Sequence, residues 1–187
     1  MNGFNLSEAG HLVLALAPQT ISGGATAQAF HMKEAEHVSI VVAFGQIAGS
    51  PVTNPTAIVL KQCTDANGSN ATAITSFRYY YQTVKGAGHD ILDGYGACLS
   101  NSPNLPPNYT TGGTGITVLP TDCTNLIFVI EVDAAELESI ADAVGPQTEY
   151  PYLQVVITNG ANASYCAILA VLSGLRHAYK VGLTATT

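Results

Sequence analysis

Two histidines and two glutamates fall within the seven residues HMKEAEH, positions 31–37. Imidazole and carboxylate groups ligate zinc and exchange protons, so chemistry is sought here first. A metalloprotease spaces its histidines H-E-x-x-H on a helix, which sets both rings on one face. Here His31 and His37 are six positions apart, and the apolar run VSIVVAFG follows at once. On an extended strand they share a face but stand about 20 Å apart at ~3.3 Å per residue. That separation defeats a shared metal ion, and the stretch reads as a solvated turn entering a strand.

The other candidates fare no better. DANGSN, positions 65–70, lacks the alternating acids and terminal glutamate of a calcium loop and reads as a hairpin turn. Asp90 and Asp93 bracket Ile91 and Leu92 beside His89, with no nucleophile near them. There is no G-x-S-x-G elbow, no Walker loop and no G-x-G-x-x-G following a strand. Cys63, Cys98, Cys123 and Cys166 are widely separated with no C-x-x-C pair, so a thiolate zinc site is not expected. Free thiols are the expected state, with Cys166 a small core residue and a Cys98–Cys123 bridge left open. N-x-[ST] matches at Asn5, Asn67, Asn70, Asn108 and Asn162 carry no weight in a chain rich in Asn, Ser and Thr. The expectation is a protein with no catalytic residues, no cofactor and no metal. It does not read as an enzyme.

ITSFRYYYQTVK, positions 74–85, offers a different chemistry, since rings beside a cation can stack nucleic-acid bases. Charge argues against it. The 187 residues carry 6 Lys+Arg against 13 Asp+Glu, a net charge of −7. Phosphate binding draws its free energy from clustered cations, and here they are scattered, so neither nucleic acid nor an anionic membrane surface is an expected partner. Charged residues make up only 10% of the chain, under half the usual share of about 25%. Hydrophobic residues reach 47%, yet no apolar run approaches the ~20 residues of a membrane span. A chain so sparsely charged hides surface against other subunits, which suits an assembly component.

The elements that must position these residues are mostly strands. The length suits one domain over 1–187. The first apolar run, Leu12 to Ala17, has no Lys or Arg before it, so it reads as a strand ended by Pro18 rather than a secretion signal. Further strands are expected at 37–45, 56–63, 72–82, 114–120, 125–132, 152–158 and 164–173, cut by Gly, Pro and Asn clusters. Asn67-Gly68 suits the tight connection before the fourth. One short helix is expected near 134–144, where Asp133 and Glu136 form a capping box ahead of Leu137, Ile140, Ala141 and Val144.

Residues 85–113 have no periodicity and read as a long loop arm. In the tyrosine strand Phe77, Tyr79 and Tyr81 share one face, and Ser76, Arg78 and Tyr80 the other. Arg78 and Tyr80, with Tyr95, Leu105 and Tyr109 of the arm, are the candidate contacts with a neighbour. Many short, evenly spaced strands define the fold class as mainly β, an antiparallel β-sandwich or barrel.

Three stretches together resemble a known family. EHVSIVVAFG enters a strand from a polar turn, IVLKQCTDANGSNATAITSFRYYY is strand, glycine turn and aromatic strand, and LIFVIEVDAAELE precedes YLQVVITNGANASYCAILAVLSGLRHAY. This order is similar to the small virion proteins of tailed bacteriophages encoded near the major capsid protein, several of which are capsid decoration (cement) proteins. The resemblance implies a jelly-roll-like β-sandwich and a location on the outer capsid surface after assembly in the host cytoplasm. Its implied partners are the major capsid protein and other copies of the chain, in a ring that is most often a trimer. An acidic chain suits the outside of a shell rather than a DNA-facing lining. The alternatives are a tail or head–tail connector subunit and a carbohydrate-binding sandwich using Tyr80, Tyr95 and Tyr109.

Overall fold

Apolar residues at every second position bury one face of each strand, and this alternation builds the core. The computed structural model describes residues 6, 10–32, 35–47, 57–74, 78–82, 123–134, 137, 151–158 and 162–174. They form ten strands: β1 (Gly10–Ile21), β2 (Ala25–Thr26), β3 (Phe30–His31), β4 (His37–Ile47), β5 (Ala57–Cys63), β6 (Thr72–Ala73), β7 (Arg78–Gln82), β8 (Ile127–Asp133), β9 (Tyr152–Thr158) and β10 (Ser164–Ser173). One sheet has the order β1-β10-β4-β8-β7 and the other β2-β9-β5-β6, with β3 also paired to β9. Every pairing is antiparallel. The protein is mainly β, as its periodicity predicts.

In the five-stranded sheet the inward set is Val38, Ile40, Val42 and Phe44 on β4, Phe128, Ile130 and Val132 on β8, and Ile168, Ala170 and Leu172 on β10. From the other sheet Ile58, Leu60, Leu153, Val155 and Ile157 join the same hydrophobic cluster. Phe44 and Phe128 meet edge to face with centroids 5.9 Å apart, an arrangement favoured by the ring quadrupoles. Each large side chain so buried contributes about 1.5–3 kcal/mol. One member of the inner row is polar. Gln62 follows Ile58 and Leu60 on β5, is fully buried, and neither atom of its amide finds a hydrogen-bond partner.

The pairings nest. β1 lies on β10, β2 and β3 on β9, β4 on β8, and β5 on β6, so the first strand takes the last and each later strand takes an earlier one inward. The innermost pair is the hairpin at 64–71. There Asp65 Oδ1 accepts the N–H groups of Asn67 (2.9 Å) and Ser69 (3.0 Å), and Gly68 takes φ +77°. An added Cβ on Gly68 would stand 2.6 Å from the amide of Gln154, the movable end of a side chain, so it is the positive φ that calls for glycine.

Two expectations need correction. β1 does not end at Pro18 but runs to Ile21, because it is an edge strand whose register shifts between Leu14 and Leu16 and again between Leu16 and Gln19. A proline without an N–H is tolerated at such an edge and bulge. Residues 72–82 are not one strand. β6 closes the hairpin on β5, Ile74 buries itself while its N–H bonds Leu60 O, and β7 joins β8 in the opposite sheet. A single straight strand cannot pair with both sheets. His31 ends β3 and His37 begins β4, and the two strands belong to different sheets. The chain is helical at Ala134 and Leu137, where the helix was expected, and Leu137 is buried. The rest of that helix, the arm at 85–113 and the strand expected at 114–120 lie outside the described residues.

Candidate functional site

The only multi-residue ionic cluster among the described residues spans β4 and β8. Their antiparallel register sets His37 opposite Asp133 and Ser39 opposite Glu131. Residues two apart share a face, so all four side chains stand on the outer side of the sheet. His37 Nδ1 lies 2.7 Å from Asp133 Oδ1, and His37 Nε2 lies 2.6 Å from Glu131 Oε2. Ser39 Oγ donates to the same Glu131 oxygen at 2.7 Å. A ring bonded at both nitrogens by carboxylates donates from both, which is the imidazolium form. Partial burial pulls the His37 pKa down, but hydrogen bonds and charge from Asp133 and Glu131 together outweigh it and hold it above the ordinary 6.5.

Neighbouring backbone fixes this end of the sheet. Glu36 N donates to Ser173 O at 3.1 Å, and Ala134 N donates to Glu36 O at 2.9 Å. The crossover between sheets is thereby tied both to the end of β10 and to the exit of β8. Chemically the cluster is closed. The serine hydroxyl points at a carboxylate rather than the imidazole, so no base is aimed at it. Both ring nitrogens are engaged, and no group of metal-holding side chains occurs among the described residues.

One rung away the same outer face turns apolar. Leu14, Leu169, Val41 and Val129 lie side by side across β1, β10, β4 and β8. The rung of Ser39 and Glu131 itself begins with Leu12 and Val171 on β1 and β10. Leu12 and Leu14 are 50% and 53% exposed, and Tyr165 on the same sheet is 59% exposed. By backbone register this row continues to Tyr80 of β7, and Arg78 stands opposite Glu131. Of the predicted contacts, Arg78 and Tyr80 thus lie at the edge of this sheet, while Tyr95, Leu105 and Tyr109 lie outside the described residues.

The remaining candidates are accounted for by structure. His31 packs edge-on against Tyr152 with centroids 4.8 Å apart. Asp65 is held by its own hairpin backbone. Cys63 and Cys166 are buried free thiols, and burial pushes Cys166 up to about 12, far from a reactive thiolate. Cys98, half of the bridge left open, lies outside the described residues. Sequence reasoning gives Ser39 and Glu131 no role and reads Asp133 only as a helix cap. Their signal was the matched period-2 spacing of H-x-S and E-x-D, which becomes informative only once the register is known. Comparison of the chain with family models, curated proteins and solved structures finds no match in any of the three.

Proposed function

We propose that this chain is a virion structural protein that decorates and stabilises a tailed-phage capsid by binding the major capsid protein. The observation that carries the reading is the nested strand order. Counting β2 with β3 and β6 with β7 gives eight segments paired first with eighth, second with seventh, third with sixth and fourth with fifth. A hairpin ribbon rolled on itself into a jelly roll, an architecture used by viral capsid and lectin domains, would pair its strands in this order, which supports the reading. Fold alone does not assign function. The outer face of the five-stranded sheet adds the needed surface, because Leu12, Leu14 and Tyr165 present apolar area where a solvated sheet face carries polar residues. A sparsely charged, acidic chain without a catalytic constellation fits a subunit that works by contact, as does the likeness of its strand and turn order to phage decoration proteins.

Such a protein binds the assembled shell and not its unfolded subunits, so it stabilises by linkage, about 2.7 kcal/mol per site at a hundredfold excess over Kd. The test is add-back of purified protein to phage heads lacking it. Saturable binding and a raised bursting temperature are expected, and a Leu14→Asp/Leu169→Asp variant that still folds should lose both. Heads that burst at the same temperature with and without the protein would refute the reading. Location in the tail would replace it with a connector subunit, and binding to glycans with a lectin.

A further inference from the structure

We propose that His37, Glu131 and Asp133 form a proton-held latch across β4 and β8, closed while the imidazole is protonated and loosened when it is not. The inference does not depend on the docking face. It starts from donors and acceptors. Two carboxylates at 2.6 and 2.7 Å need two N–H donors, and a neutral imidazole has one. Loss of the proton leaves one carboxylate facing a lone pair, and the cluster passes from one net negative charge to two. Glu131 does not lose its last partner, since Ser39 still donates to it. Whichever carboxylate faces the lone pair, one of the two charge-assisted bonds that join β4 to β8 is lost.

The neighbouring elements bring a few described residues toward the cluster. From β10 the register neighbour of His37 is Ser173, which does not titrate in this range. From the crossover the adjoining charged residue is Glu36, another anion, whose side chain packs beside Gly174. On β7, Arg78 stands opposite Glu131 in backbone register. The direction follows from linkage. A histidine whose folded pKa lies above its unfolded value contributes stability that is fully present below about 6.5 and is lost as pH rises through the folded pKa. What loosens is local: the β4–β8 end and the two backbone bonds of Glu36 that tie the crossover down.

The experiment is an NMR titration of the full chain from pH 6 to 9, with the His37 signals assigned by their loss in His37→Gln. At the acid end of the titration both ring nitrogens should report N–H, and the midpoint should exceed 6.5. Protection of the Ala134 and Glu36 amides, corrected for intrinsic exchange, should fall through the same midpoint in the native chain and stay flat in His37→Gln. Glu131→Gln/Asp133→Asn should bring the midpoint down while leaving the fold intact. A midpoint at or below 6.5, or amide protection that does not follow the titration, would overturn the latch.

Discussion

Replacing Gln62 by methionine should stabilise this protein, against the usual direction of core substitutions. Gln62 sits in the inward row of β5 with Ile58 and Leu60, opposite Leu153 on β9, and its amide is completely buried without a partner. Burying such an amide costs about 1–3 kcal/mol by protein mutational measure, because its hydrogen bonds to water are lost and not replaced. Methionine has nearly the same unbranched shape, fills the same space and carries no donor to satisfy. The cost should therefore be recovered, and roughly 2–4 °C per kcal/mol in a domain of this size puts the rise in Tm between about 2 and 12 °C. Urea denaturation should show a higher midpoint with an unchanged slope, since the surface exposed on unfolding is the same. Gln62→Glu should do the reverse, by placing a carboxylate in the core. A Gln62→Met variant that melts lower than the native chain would refute the reasoning, since only a satisfied amide is missed when it is removed.

Gly68→Ala should cost about 1–2 kcal/mol in a thermal melt, because φ +77° is left-handed and the new methyl meets Gln154; Gly68→Asn should cost less. Hydrogen bonds to Ser69, with smaller contributions from Asn67 and Gly68, hold the Asp65 carboxyl below its ordinary 3.8. Its stabilisation is present above 3.8 and lost as pH falls through the folded value, so Asp65→Ala should flatten that part of the stability–pH curve. Iodoacetamide at pH 8 should label Cys166 only after denaturant is added, as read by mass spectrometry, because the buried thiol stays protonated.

Where local pattern decides structure, the sequence was legible. β9 and β10 coincide with their expected ranges, since each is an alternating run bounded by a breaker, Pro151 before one and Gly174 (φ +64°) after the other. Where a choice of partner decides, it was not. Pro18 stops a central strand but not a bulged edge, and edge position is a property of the whole sheet. The periodicity from Thr72 to Gln82 is continuous, yet the chain changes sheets within it because β5 and β8 each claim one half. His37 drew notice with the wrong companions, its near neighbours in sequence. Its true partners are 94 and 96 residues away, and nothing short of the β4–β8 register brings them together.

The nesting of the strands also dictates when the protein can fold. β1 must wait for β10, and β4 has neither neighbour until β8 and β10 exist. Among the pairings of the described residues only the β5–β6 hairpin closes over a short loop. Closing a long loop costs entropy before any contact rewards it, so such topologies fold slowly. On the ribosome, a nascent chain emerging only as far as β9 would hold β1 and β4 with their shared partner missing and their strand edges open. Those edges are templates for pairing with other chains, so the interval before the last strand emerges is when aggregation competes with folding.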